Sequence, residues 1–213
     1  MSKLFVIWGC AGHAKVLLSL IQSQDGRVVA LFDNHEVSPI FPESPIYYGK
    51  TGFNKWIHET NELFNITGLI AIGGHRGQDR IDIQNDFRLA GLKLEPLIHP
   101  TAFVCNSATL GGGTQVLAQA VVAADSRIGE TCIINHKASV DHECILGDGV
   151  HIAPGATVCG LVCIDNNVMV GAGAVVLPRI KIGANSLIGA GAVVTKDVPP
   201  GSVIVGNPGR LKS

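Results

Sequence analysis

Residues 128–158 read IGETCIINHKASVDHECILGDGVHIAPGATV. An aliphatic residue stands at every sixth position, Ile128, Ile134, Val140, Leu146, Ile152 and Val158, and a small or β-branched residue follows each of them four places on. The register continues outward in both directions, from Val104 to Val194, over sixteen repeats without a break. A period of six cannot keep one face of a 3.6-residue helix apolar over that length, so helix is excluded. Short strands of a solenoid satisfy it. Gly or Asp directly after many of the aliphatic residues (Gly111, Gly129, Gly147, Asp165, Gly183) is expected to supply the positive φ of the corners.

Ahead of the repeat the pattern changes. Residues 3–8 (KLFVIW) read as a buried strand, Gly9-Cys10-Ala11-Gly12 as a turn, and a helix starts near His13 with Val16, Leu17, Leu20 and Ile21 inward. A second strand, Val28 to Phe32, ends at Asp33; a third, Gly68 to Ile72, runs into Gly73-Gly74-His75-Arg76. A helix over 78–90 follows, and a last strand over 92–98 leads to His99-Pro100. A Gly-bearing first turn and an acid after the second strand are the layout that places a nucleotide at the carboxyl ends of parallel strands. Only Gly9 and Gly12 of the dinucleotide fingerprint are present, which argues against NAD. The expected fold is therefore mixed, with a small Rossmann-like α/β nucleotide-binding domain over 1–99 and a hexapeptide solenoid over 100–213.

Composition removes other classes. The 213 residues carry a net charge of −1 with no cluster of Lys and Arg, so nucleic-acid binding is set aside. The first apolar run ends at Gly9, too short for a signal sequence or a bilayer span, so a cytoplasmic protein without membrane insertion is expected. The six cysteines form no C-x-x-C pair and are expected to be free, mostly buried thiols.

Among the eight histidines, His35 and His58 lie in polar contexts and His99 in the linker. His142 stands out, flanked by Asp141 and Glu143, because a carboxylate can hold one ring nitrogen protonated and leave the other as a general base near neutral pH. A zinc hydratase needs three converging histidines, two of them five apart in solenoid relatives. The steps from His136 to His142 and on to His151 do not match, so no metal is expected.

The order G-x-x-G-H-x-K (Gly9 to Lys15), A-I-G (Ala71 to Gly73), I-H-P (Ile98 to Pro100) and V-D-H-E (Val140 to Glu143) resembles the NeuD/PglD-like branch of the hexapeptide-repeat acyltransferases, over essentially the whole chain. The resemblance implies a left-handed β-helix, a homotrimer with active sites between subunits, and N-acetylation by acetyl-CoA of a nucleotide-linked (4-)amino-deoxy sugar in bacterial surface-glycan or glycoprotein sugar biosynthesis. It implies that His142 is the base, supported by Glu143, and that attack is direct. His151 is then expected near the acetyl group, the N–H of Gly160 facing its carbonyl, and Asn135 helping to place the acceptor. Coenzyme A is expected along Gly171, Ala172, Gly173, Gly189, Ala190 and Gly191, whose small side chains would leave backbone amides open, with Lys196 or Arg210 on its phosphates. The nucleotide-sugar is expected at Gly9, Gly12, His13 and Lys15, with Asp33 reading a ribose or base edge and Gly73 and Gly74 approaching the phosphates. Where relatives carry Asn or Asp after A-I-G, this chain has Gly74-His75, so base and sugar preference do not carry over there. Sialic acid O-acetylation, or a non-catalytic sugar-nucleotide-binding protein, are the alternatives.

Overall fold

The computed structural model describes residues 2–37, 41 and 43–212; residues 1 and 213, the outer limits of the two expected domains, lie outside the described residues. The chain forms two compact units, one comprising the residues up to Gly73 together with Asp82–Glu95, the other Gly74–Ile81 together with Pro96 onward.

The first unit is built on four parallel strands, β1 (Leu4–Trp8), β2 (Arg27–Asp33), β3 (Ile46–Tyr48) and β4 (Ile66–Ile70), in the order β3-β2-β1-β4. Helix α1 (Gly12–Gln22) follows β1, α2 (Gly49–Glu59) follows β3 and α3 (Gly77–Leu89) follows β4. The strands β1 and β4 are nearly wholly buried, which is why they read as unbroken apolar runs rather than as alternation. The few aromatic side chains gather here. Trp8, Phe32, Phe53, Trp56 and Phe87 share one core, with Phe32 and Phe53 edge to face at 5.1 Å. Gly68 in β4 leaves the room that the Phe87 ring fills. The sequence reading missed β3 and α2: β3 has only three residues, and α2 buries only Phe53 and Trp56, too few apolar positions to mark a helical stripe.

The second unit is a solenoid of two-residue parallel strands in three stacks. One stack runs Leu97–Ile98, Gln115–Val116, Ile133–Ile134, His151–Ile152, Met169–Val170 and Leu187–Ile188 and closes on Val203–Val205, with Arg210–Leu211 antiparallel at its end. Partners such as Ile133 and His151 are 18 residues apart, as three hexapeptides per coil require. The second residue of each strand points inward together with the small residue four places on. Ile134, Ala138, Val140, Cys144, Ile152, Ala156 and Val158 are all wholly buried. Each buried aliphatic side chain contributes ~1.5–3 kcal/mol, and the repeat is the sequence trace of that column.

Two expectations are corrected. The left-handed corner residue is the third after the aliphatic one, at every sixth position from Gly113 to Gly191 with φ between 52° and 70°, and most are not glycine: Gln119, Thr131, Lys137, Glu143, Leu161. The glycines directly after the aliphatic residues serve close stacking instead, since a Cβ on Gly129 would lie 2.6 Å from the Gly147 carbonyl carbon and one on Gly171 2.6 Å from the Ala190 nitrogen. The second correction concerns the boundary drawn at 99/100 and the strand over 92–98. Lys93 makes only an isolated bridge to Thr67, whereas Leu97–Ile98 pairs with Gln115–Val116 and the His99 N–H donates to Val116 O. The solenoid therefore begins before Pro100, and His99 lies in its first coil rather than in a linker.

Candidate active site

His142 projects from the corner after Ser139–Val140. Its backbone N–H donates to Asp141 Oδ1 (2.8 Å), and its ring Nδ1 lies 3.0 Å from Glu143 Oε2. Both side chains are about half exposed, at 51% and 55%, so the pair adds little to stability. Its effect is orientation: a carboxylate on Nδ1 favours the proton there and leaves Nε2 with the lone pair of a base. Glu143 reaches Nδ1 from a left-handed backbone (φ 58°), fixed by its N–H donating to Ala124 O one coil earlier.

Gly160 stands one coil on from His142, and the imidazole lies directly against it. A Cβ at Gly160 would sit 2.5 Å from His142 Nε2 and 2.7 Å from Cε1. The Gly160 carbonyl accepts from the Arg179 N–H, whereas its own N–H makes no hydrogen bond among the described residues. A free backbone donor and an imidazole nitrogen thus share one corner, the pairing that acyl transfer asks for.

On another corner of the solenoid, Asn135 Oδ1 accepts from the His136 N–H (2.8 Å) and from His136 Nδ1 (2.9 Å). With its oxygen so engaged, the amide turns Nδ2 toward His151 Nε2 at 3.1 Å, and His151 Nδ1 lies 3.2 Å from the Gly74 carbonyl. Gly74, Asn135, His136 and His151 are thus brought together, and His151 is only 5% exposed. Burial, and then the neighbouring His99, hold the His136 imidazole below its ordinary pKa.

Of the residues expected to meet coenzyme A, Gly171, Gly173, Gly189 and Gly191 do not offer open amides. Their N–H groups donate to Ile188, Pro154, Ile204 and Ala172 carbonyls, because the coils must be stitched there. The N–H groups of Ala172 and Ala190, at the tips of the same corners, make no hydrogen bond among the described residues and are the donors left for a ligand. Lys196 and Arg210 line one hollow of about 570 Å³ with Asp197, Pro199 and Pro208.

In the first unit, Gly9 (φ 101°) closes the turn after β1, and a Cβ there would lie 2.8 Å from Ala71 O. The N-terminus of α1 has no side-chain cap, and Gly12 and Gly73 face open space, so the ends of β1 and β4 present backbone to an incoming anion. Lys15 is exposed on α1. Asp33 Oδ2 accepts from the Cys10 N–H (2.8 Å) and Oδ1 from the His35 N–H (3.0 Å), so its carboxylate also holds the turn. A hollow of about 510 Å³ in this unit lies at the other end of β2, beside Arg27, Glu43 and Ser44, away from these groups.

Three of the thiols are held protonated by burial. Burial pushes Cys10 and Cys144 up to about 11 and Cys132 to about 12. Cys105 is the exception, lowered by Ser107, and is one of three cysteines, with Cys159 and Cys163, that are only half-buried where buried thiols were expected. Among the described residues no group of three His, Cys, Asp or Glu could hold a metal ion, and no helix is long and apolar enough to cross a membrane. Arg80 went unnoticed in the sequence. It is fully buried, donating Nε–H to Thr131 O (3.0 Å) and Nη2–H to Gly149 O (2.5 Å), and although burial lowers it to about 10 it remains charged at neutral pH. Gly77, three residues before it, was the available signal, a glycine opening a helix where a better helix former would serve.

Stacked hexapeptide coils that bring an imidazole, its carboxylate partner and a free backbone donor to one corner carry the parts that define an acyltransferase. A family model for bacterial transferase hexapeptide (six repeats) matches residues 125–160 and 164–196. A histidine-to-alanine variant of GDP-perosamine N-acetyltransferase from Caulobacter crescentus, in complex with CoA and GDP-perosamine, is 31% identical over 98% of this chain and 96% of its own, with a TM-score of 0.89. The acetyltransferase domain of PglB from Neisseria gonorrhoeae, in complex with acetyl coenzyme A, is 30% identical over 100% of both chains, with a TM-score of 0.88. WeeI from Acinetobacter baumannii, 23% identical over 98% of this chain and 99% of its own with a TM-score of 0.87, shares the fold. The chain belongs to the hexapeptide-repeat acyltransferases of the NeuD/PglD type, which N-acetylate nucleotide-linked amino sugars with acetyl-CoA.

Proposed function

We propose that this chain acetylates the amino group of a nucleoside-diphosphate-linked 4-amino-deoxy sugar, working as a cytoplasmic homotrimer with His142 as general base and acetyl-CoA as donor. The observation that carries the reading is the Glu143–His142 pair beside Gly160, one nitrogen held by the carboxylate and the other free. As the amine nitrogen bonds to the thioester carbonyl carbon, Nε2 takes its proton and the Gly160 N–H faces the forming oxyanion. Collapse breaks the carbon–sulfur bond, and the imidazolium returns the proton to the departing thiolate. His151 and Asn135 border the acceptor and acetyl group, Ala172 and Ala190 donate to the pantetheine arm, and Lys196 and Arg210 meet its phosphates. Gly9, Gly12, His13, Lys15 and Gly73 take the nucleotide, and the exposed Phe103 and half-buried Val175 and Val193 on one solenoid face suit contact between copies.

The test is release of CoA thiol from acetyl-CoA with GDP-, UDP- and dTDP-linked 4-amino sugars, the GDP-linked sugar first because the Caulobacter relative binds one. His142→Ala is expected to lower kcat by roughly 10²- to 10⁴-fold with little change in KM. No thiol release with any sugar, or full activity without the imidazole, would overturn the reading.

A further inference from the structure

Gly74–Ile81 belongs to the solenoid unit although 14 residues, Asp82–Glu95, separate it in sequence from Pro96, where that unit resumes. Its contacts follow a ladder. Arg80 donates to the carbonyls of Thr131 and Gly149, and the Gln78 N–H donates to Asn167 Oδ1 (3.1 Å), so the segment touches the left-handed corner residues of three successive coils. Gly77 lies flat on Gly149: a Cβ on Gly149 would be 2.9 Å from Gly77 O, and a Cβ on Gly77 would collide with the Gly149 carbonyl and the Asn167 amide. The free end of this docked segment is Gly74, whose carbonyl meets His151 Nδ1.

Burying a guanidinium is costly unless its donors are well placed, and Arg80 spends two of them on main-chain carbonyls. The carbonyl of Gly74 can only accept, so His151 must present Nδ1–H to it. Asn135 Nδ2 can only donate, so Nε2 must be the lone-pair side. Both halves of the network require one tautomer. We propose that Arg80 is a positioning residue, anchoring Gly74–Ile81 on the solenoid so that the Gly74 carbonyl keeps the His151 proton on Nδ1 and, through it, the Asn135 amide in one orientation. The kinetic consequence rests on the placement of His151 and Asn135 proposed above; the tautomer does not.

The experiment is long-range proton–nitrogen NMR of the ¹⁵N-histidine-labelled full chain, with the His151 signals assigned from His151→Gln, run beside steady-state kinetics. Two variants are compared. Arg80→Met removes the anchor, and because a buried site is altered the fold is checked by circular dichroism. Gly77→Ala favours the helix while pushing the segment off Gly149 and leaving the Arg80 side chain in place, so it tests the same point by a second route, with the fold checked in the same way. The wild type is expected to carry the His151 proton on Nδ1, and Gly77→Ala to populate the other tautomer with a loss in kcat/KM of up to about 10²-fold, the His142 signals unchanged. An Nε2–H tautomer in the wild type, or an unchanged Nδ1–H tautomer in Gly77→Ala, overturns the proposal. A tautomer change with undiminished turnover supports the anchor and instead removes His151 from the acetyl site.

Discussion

Replacing Gly160 with alanine adds a single methyl group directly under the His142 imidazole, the base of the proposed reaction. Gly160 is outside the left-handed region, so alanine brings no backbone strain and keeps the N–H donor. The new Cβ would lie 2.5 Å from His142 Nε2, where ordinary contact begins near 3.4 Å, so the ring must retreat by roughly 0.9 Å. Because His142 is half exposed, the ring can swing outward without disturbing the core, and the melting temperature should stay within a degree or two of wild type, roughly the shift of half a kcal/mol at this chain length. The swing breaks the alignment of Nε2 with the amine, and a misplacement of this size costs about 10²-fold in rate. The assay is CoA thiol release under saturating acetyl-CoA, with the expected loss in kcat and little in KM. In a His142→Ala background the same methyl should cost nothing more, because the effect runs through the imidazole. Full activity of Gly160→Ala, or an equal further loss without His142, would refute the reasoning.

The two kinds of corner residue should separate under mutation. Gly129→Ala drives a methyl into the Gly147 backbone and should cost more than ~2 kcal/mol in a denaturant titration, whereas Gln119→Gly, at a left-handed position, should change stability by less than about 1 kcal/mol. Acid should weaken the fold through His136. Its pKa is lowered in the folded chain, so the unfolded chain takes up the proton first; stability present above about pH 6.5 is lost as the pH falls through the lower folded value, and His136→Gln should flatten that slope. Acetyl-CoA at a hundred times its Kd should stabilise the chain by ~2.7 kcal/mol, and no stabilisation would argue against a bound donor.

The solenoid was legible because every coil repeats one steric demand, and the demand is written in residue types: Val140 and Ile152 inward, Ala138 and Cys144 beside them. His142 was legible because its partner, Glu143, is its neighbour in sequence. What escaped depends on groups without side-chain signatures. The Gly74 carbonyl meets His151 through the main chain, which any residue could supply. The amides of Gly171 and Gly189 looked open because glycine has no side chain, but the stitching between coils consumes them. Asp33 was read from its place at a strand end, which gives no sign of the bonds its carboxylate accepts from the Cys10 and His35 amides. Arg80 was missed because a basic residue on a helix is ordinarily a solvated one, and the one neighbour that hinted at close packing, Gly77, does not by itself announce burial.

The 18-residue pairing step makes the solenoid a counted object. Adding or removing a whole coil near its end would leave every inward side chain inward, whereas losing a single residue would turn all that follows out of step. Whole coils are therefore the natural currency of insertion and deletion in such a chain. That freedom stops where Arg80, Gly77 and Gln78 reach Thr131, Gly149 and Asn167. Those three coils are measured against one short segment as against a ruler, so variation in length among chains of this design should collect beyond them and leave the stretch between Thr131 and Asn167 constant.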